Sequence, residues 1–349
     1  MKRRSLINMV ASGAFAAGLS TITAIAANAQ DVTLKLHQFL PPPANIPKNI
    51  LRPWAAEVEA ASGGRLKIEH FDAMALGGRP PELMDQAQDG VVDIVMTLGG
   101  YTPGRFPRSE VFELPFMMTD PIATALAYQQ MVEDDFQQSE FSNVKVLAAW
   151  VHGPGVIHSN DGVYNLEDMK GKKVRGPTRV INDLLGELGA TPIGMPVPAI
   201  PEALSKGVID GTVIPWEVTP ALKLTELVGK HTEFGGDAAL YTATFVLAMN
   251  KAKYESLPDD LRTALDSVSG AHMSAFAATV MEKFDKPGRD VAVANGNEIT
   301  TLDEVEVARW KAASAPVVDR WISDMSDKGI DGQALIERAK ALIAEKSAM

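Results

Sequence analysis

An α/β fold in two domains is predicted by three observations. Strand-like runs end in Gly- or Pro-containing loops and lead into helix-like stretches. The length suits two cores of ~100–200 residues each. There is no cysteine, so packed cores rather than disulfides must hold the fold.

Val32–His37 alternates apolar and polar residues and reads as a strand. After Pro41-Pro42-Pro43, Ile46–Ser62 has helical spacing and stops at Gly63-Gly64. Arg65–Phe71 is a second strand, Pro80–Asp89 a helix closing at Gly90, and Val91–Thr97 a third, more apolar strand. This β-α-β-α-β order argues for a largely parallel sheet. The pattern repeats loosely, with strands at Val144–His152 and Val174–Arg175, helices at Val180–Leu188 and Ile200–Ser205, and a long apolar strand at Tyr241–Asn250. Pro258–Ser267 opens a helical final third, with apolar residues at helical spacing from Leu261 to Phe276. Val305–Met325, carrying Trp310, Val317, Val318, Trp321 and Ile322, predicts a long amphipathic helix packed across both domains. Pro316 inside it predicts a kink or break. No period of 20–50 residues repeats, which excludes a solenoid.

Lys2, Arg3 and Arg4 precede an apolar, Ala-rich stretch, and Ala27-Asn28-Ala29 is a small-x-small cleavage signal. The stretch is too polar and too short for a membrane span. Residues 1–29 therefore read as a signal peptide, and the protein as exported to the periplasm by the Sec route or, given Arg3-Arg4, the twin-arginine route. The remainder is assigned as one lobe from 30–150 plus 240–280 and a second from 151–239 plus 281–349. The net charge of −11, less the three leader cations, becomes near −14. That acidity excludes a nucleic-acid partner.

Enzyme signatures are missing. Gly171-Lys172 lacks the leading glycine and the Ser/Thr of a phosphate loop, Gly153-Pro154-Gly155 lacks the third glycine of a dinucleotide fingerprint, and there is no nucleophile elbow. The six histidines have no metal-ligand spacing, so no metal or cofactor is expected. A secreted α/β enzyme using His152 with Glu217 stands as the alternative.

Arg175 is the leading candidate for a binding role. It ends a short strand just before Gly176-Pro177, a break that can leave its guanidinium in a crevice, where the fork fits a carboxylate with two hydrogen bonds. Lys172, Lys173 and Arg179 read as a solvated face. His152 ends a strand and leads through Gly153-Pro154-Gly155, whose backbone can approach a ligand closely. His158 reads as packed. Gly211–Ile214 leads to Pro215, Trp216 and Glu217, where the indole could wall a site and Glu217 could orient a hydroxyl. Thr97 and Tyr101 follow an apolar strand at the equivalent edge, and Phe39 ends the first strand. Phe245, inside the long apolar strand, has the core as its competing place.

The chain resembles the substrate-binding proteins of tripartite ATP-independent periplasmic (TRAP) transporters, typified by dicarboxylate-binding members, over nearly all of the mature part. The most specific matches are Asn165-Leu166-Glu167-Asp168-Met169-Lys170-Gly171-Lys172-Lys173-Val174-Arg175, Leu188-Gly189-Ala190-Thr191-Pro192 and the run Glu202–Gly211. Asn250-Lys251 followed by Tyr254–Pro258 matches too. The resemblance implies a two-lobed periplasmic-binding-protein fold (type II-like) that closes on its ligand, with hinge strands and a long helix spanning both lobes. It implies that Arg175 is the signature arginine that pairs with a ligand carboxylate. It also implies a membrane TRAP permease as partner, driven by an ion gradient, with the receptor acting as a monomer.

The chain departs from the pattern in two places. Many members carry a second arginine where this chain has Gly155, and a polar residue such as asparagine where it has Pro215, followed by Trp216. A lost cation and a gained indole favour a monocarboxylate, aromatic or hydroxylated, over a four-carbon dicarboxylate. A dicarboxylate or sugar-acid binder of the same family is the alternative ligand reading. A sensory module feeding a signalling partner is a third class.

Overall fold

The computed structural model describes residues 31–236 and 239–348, so the leader assigned to 1–29 lies outside it. Strands are β1 (Val32–Gln38), β2 (Leu66–Phe71), β3 (Ile94–Leu98), β4 (Val144–Val151), β5 (Val156–Ser159), β6 (Lys173–Gly176), β7 (Thr191–Gly194), β8 (Gly211–Ile214), β9 (Lys230–Phe234), β10 (Thr244–Asn250) and β11 (Glu298–Leu302). Helices are α1 (Arg52–Ala61), α2 (Leu83–Gln88), α3 (Pro121–Met131), α4 (Arg179–Glu187), α5 (Ile200–Ser205), α6 (Leu224–Leu227), α7 (Lys251–Glu255), α8 (Asp259–Ser267), α9 (Gly270–Ala294), α10 (Glu304–Asp327) and α11 (Gly332–Ser347).

The strands form two sheets, in the orders β2-β1-β3-β10-β4 and β11-β9-β5-β8-β6-β7. Each is mixed, not largely parallel. In the first, β1 pairs in parallel with β2 and β3, whereas β10 runs antiparallel to both β3 and β4. In the second, β6 is parallel to β7 and β8, while β5 is antiparallel to β8 and β9. The reversal has a topological cause. The chain leaves the first sheet at the end of β4, enters the second as β5, and returns after β9 as β10. The segment 152–155 and the stretch between β9 and β10 cross between the sheets, and the chain crosses again through α9 on its way from β10 to β11.

Val151 and Ile157 are fully buried on either side of the first crossing, so the crossing is anchored in core at both ends. The helix that spans the lobes is α9. It packs on α3 and β4 beside the first sheet and on residues 216–218 and β11 of the second. The helix predicted for that role, α10, lies along α4 and touches the first lobe where the Trp321 indole donates to Glu110 Oε2 at 3.1 Å. The helical run read from Leu261 to Phe276 is two helices, α8 and α9, separated at Val268-Ser269 and restarted at Gly270 (φ +60°). By contrast α10 continues through Pro316 and α9 through Pro287. Buried Val317, Trp321 and Met325 follow Pro316, and their packing offsets the hydrogen bond that proline removes. Helix α11 packs against α3, beside the first sheet.

Candidate functional site

A small, tightly lined cavity of about 30 Å³ lies between the lobes at the strand ends. Phe39, Leu98 and Phe245 reach it from the first sheet, Arg175, Ile214, Pro215 and Glu217 from the second, and His152 and Tyr241 from the crossings. This is the carboxyl-edge placement expected of an open α/β sheet.

Arg175 is fully buried. Its Nε donates to the Met195 carbonyl at 2.8 Å and its Nη1 to the Val213 carbonyl at 3.2 Å, so two backbone oxygens fix the plane of the fork. The remaining nitrogen, Nη2, has no hydrogen-bond partner. Burial is the main influence on the group and pushes its pKa down, opposed by the Tyr101 and Tyr241 hydroxyls beside it. An arginine stays charged nonetheless. The result is a desolvated cation, held rigidly, with donor capacity left over on the cavity side.

The crossing into β10 supplies the wall. In a period of two, Tyr241, Ala243 and Phe245 fall on one face, and all three line the cavity. The Phe245 ring stacks on Trp150 at 5.6 Å and Phe39 packs against Tyr101 at 5.3 Å. The Tyr241 hydroxyl, like Arg175 Nη2, is buried without a partner. Gly155 stands behind this wall. A Cβ there would sit 2.0 Å from the Tyr241 ring, so the tyrosine occupies the space a side chain at 155 would need.

Glu217 and His152 are the other polar groups of the lining, and both are held neutral. Burial first, then the neighbouring Asp285, pushes the Glu217 carboxyl up to about 8. Burial brings His152 down to about 4. Its Nδ1–H donates to the Gly153 carbonyl at 2.5 Å, which leaves Nε2 as an acceptor. Arg175 is thus the one fixed charge on the cavity wall.

The lobes meet around this space. Val197 N–H donates to the Tyr101 hydroxyl at 3.0 Å across the seam. Gly100 approaches Thr178 so closely that a Cβ would lie 2.3 Å from its methyl. Arg179, read from the sequence as solvated, instead ties the lobes: its Nη2 donates to Glu110 Oε2 at 2.6 Å and its Nη1 to Asp324 at 2.8 Å.

Six of the ten residues singled out in the sequence converge on the cavity: Phe39, His152, Arg175, Pro215, Glu217 and Phe245. Tyr101 sits one shell back, its hydroxyl beside the Arg175 guanidinium. Trp216 does not wall the cavity. Its indole N–H donates to Glu233 at 2.8 Å and its ring packs on His158 and His231, facing a second cleft that Gly155 also lines. Thr97 alternates with cavity-lining Leu98 and points to the opposite face. His158 is packed, as expected, with its Nδ1 at 2.7 Å from that of His231. Sequence reasoning missed Tyr241 and the carbonyls of Met195 and Val213. The period-two face Tyr241/Ala243/Phe245 was an available signal for the first; carbonyl direction leaves no side-chain signal.

The buried acids set a pH response. Burial raises Glu113, Glu140 and Asp285 to about 7 and Glu217 to about 8. An acid whose folded pKa is raised contributes stability that is full below its unfolded value and lost as pH rises through the folded one. The histidines His37, His70, His152, His158 and His231 are lowered, so they cost stability only as pH falls below 6.5. Thermal melting without ligand is therefore expected to drop by several degrees from pH 6.5 to 9 at constant ionic strength. A Glu217→Gln, Asp285→Asn double variant should show a shallower slope. A melting temperature that is flat or rising over this interval would refute the assignment.

No helix among the described residues is long and apolar enough to cross a membrane. The family described as DctP, bacterial extracellular solute-binding protein, family 7, matches residues 39–324. A TRAP solute-binding protein from Rhodoferax ferrireducens T118, solved with copurified benzoate, is 49% identical, with a TM-score of 0.89 over 91% of this chain and 99% of that one. A marine metagenome TRAP solute-binding protein specific for aromatic acid ligands, solved with 3-hydroxybenzoate, is 46% identical, with a TM-score of 0.89 and the same coverage of both chains. The outer membrane transporter protein TsaT of Comamonas testosteroni is 26% identical over 333 residues, 94% of this chain and 96% of its own. With its two lobes, crossing strands and buried arginine at their junction, the chain belongs to the DctP family of bacterial extracellular solute-binding proteins, the receptors of TRAP transporters.

Proposed function

We propose that the protein captures a small aromatic monocarboxylate, with Arg175 as the carboxylate anchor, and delivers it to an ion-gradient-driven membrane permease. TRAP solute-binding proteins bind small organic acids and work with membrane TRAP permeases. The observation that carries the ligand class is the charge of the lining. One fixed cation, Arg175, faces a cavity walled by Phe39, Tyr241 and Phe245, and at Gly155, where the family resemblance implies a second arginine in many members, Tyr241 fills the space. One cation matches one carboxylate, and the aromatic wall matches a ring. Relatives at 46–49% identity hold benzoate or 3-hydroxybenzoate, consistent with this match.

In this reading the protein is a monomeric receptor without turnover. His152 is uncharged and its Nδ1–H is bonded to its own chain, and the Glu217 carboxyl has Asp285 and Asn45 as its neighbours, which supports a receptor role over the His152/Glu217 enzyme alternative. The leader 1–29 directs export to the periplasm, and N-terminal sequencing of the exported protein should begin at Gln30 or Asp31. Calorimetric titration tests the ligand class: saturable binding of benzoate is expected, with no heat from succinate. Mass spectrometry of the released ligand should recover benzoate unchanged. Tight succinate binding without a benzoate response would overturn the reading.

A further inference from the structure

The cavity lining holds a second polar group, Glu217, that the anchor does not explain. Arg175 is surrounded by Met195, Val213, Tyr101 and Tyr241. Glu217 lies beyond the end of β8, and its polar neighbours are Asp285 and Asn45. The two sets share no residue. We propose that the ligand carries a neutral hydrogen-bonding group, a ring hydroxyl, at the end remote from its carboxylate, and that the Glu217 side chain reads it. This rests on the aromatic monocarboxylate reading above.

Three features of the site point this way. Glu217 is 6% exposed, lines the cavity, and is held by its own backbone N–H donating to Asp285 Oδ1 at 2.9 Å. Asp285 comes from the spanning helix α9 and fits where Gly153 has no side chain: a Cβ there would lie 2.1 Å from Asp285 Oδ2. Asp285 is thus a positioning residue for the 216–218 turn. Second, Asn45 from the first lobe is also 6% exposed. Its amide lies close enough to Glu217 to pull the carboxyl pKa down, yet Nδ2 makes no well-formed hydrogen bond. Asn45 stands behind Glu217 and does not line the cavity, so Glu217 is the buried polar group that an apolar ligand end would leave unpaired, which is costly. A hydroxyl both donates and accepts, so it satisfies the carboxyl group.

Third, an anionic group is disfavoured at this end. The charged groups behind Glu217 are Asp285 and, behind that, Glu282 and Glu233. The nearby cations are engaged, Arg289 with Glu233 and Lys286 with Asp290, and neither lines the cavity. From the crossing after β4, His152 contributes a neutral ring. Glu217 itself stays protonated until about pH 8, so below that it offers a donor and an acceptor and no charge.

The test is calorimetry on the mature protein with benzoate, 3-hydroxybenzoate, 4-hydroxybenzoate and isophthalate, at pH 6.5 and 9. At pH 6.5 at least one hydroxybenzoate should bind about tenfold more tightly than benzoate, and isophthalate at least about tenfold more weakly. Glu217→Leu should erase the hydroxyl preference, so that benzoate and the hydroxybenzoates bind this variant with equal affinity. Glu217→Gln, an uncharged isostere, should keep most of it. Raising the pH to 9 should weaken wild-type binding more steeply than Glu217→Gln binding, because Asp285 titrates in both and Glu217 only in wild type. An equal hydroxyl preference in wild type and Glu217→Leu overturns the proposal. Should Glu217→Leu fail to fold, equal pH slopes in wild type and Glu217→Gln overturn it instead. If benzoate and both hydroxybenzoates fail to bind wild type, the aromatic ligand class itself falls, a result distinct from either.

Discussion

Arg175→Ala is expected to remove measurable carboxylate binding, because it deletes the only fixed charge on the cavity wall. Leaving a desolvated carboxylate without its bidentate partner costs about 3–5 kcal/mol, which is roughly two to three and a half orders of magnitude in Kd. Arg175→Lys should lose most of this as well. The fork is oriented by two carbonyls, Met195 O and Val213 O, and a lysine ammonium cannot bond both and still present a planar pair of donors. The companion measurement is stability without ligand. A fully buried guanidinium with no carboxylate partner is a cost to the apo fold. Arg175→Met, which keeps much of the volume, should therefore melt at or above the wild-type temperature while showing no shift on adding benzoate. That separation distinguishes a binding arginine from a structural one. A variant that melts several degrees lower and still binds would show that Arg175 serves the fold.

The parts of this site legible in the sequence are those carried by side chains at strand ends. Arg175 before Gly176-Pro177, His152 before Gly153 and Pro215-Glu217 after β8 are marked by the breaks that follow or contain them, and all reach the cavity. What the breaks do not encode is direction. Trp216 and Glu217 are adjacent, yet one packs on His158 and His231 while the other lines the cavity, because Glu233 holds the Trp216 indole and Asp285 holds the Glu217 N–H. Those partners are distant in sequence, on β9 and α9, so no local pattern announces them. Strand direction failed for the same reason. The antiparallel insertion of β10 between β3 and β4 depends on where the chain re-enters the sheet, not on its apolar run. The spanning helix was misassigned because α9 and α10 are both long and amphipathic, and only their contacts separate them.

Gly288→Ala is the second large effect, and it concerns that spanning helix. Glycine inside an exposed helix costs about 1 kcal/mol relative to alanine, so propensity alone predicts stabilisation. At Gly288 the sign reverses. A Cβ there would lie 2.2 Å from the Trp216 carbonyl oxygen and 2.7 Å from its carbon, both backbone atoms of the turn that carries Glu217. Nothing flexible can yield, and overpacking of this kind costs about 1–3 kcal/mol. Asp285 lies one turn earlier on the same helix face and grips the Glu217 N–H, so a helix pushed outward loosens the grip and the cavity lining together. Gly288→Ala should therefore lower the melting temperature by several degrees and weaken ligand binding by about tenfold or more, since a small misplacement of binding groups is expensive. Gly186 in α4 supplies the control. It is exposed, and its Cβ would meet only Pro192 Cγ at an ordinary 3.8 Å. Gly186→Ala should leave binding unchanged and raise the melting temperature slightly. If the two alanines behave alike in melting and calorimetry, the close crossing of α9 over residues 216–218 does not constrain the site; opposite signs would establish that the helix positions it.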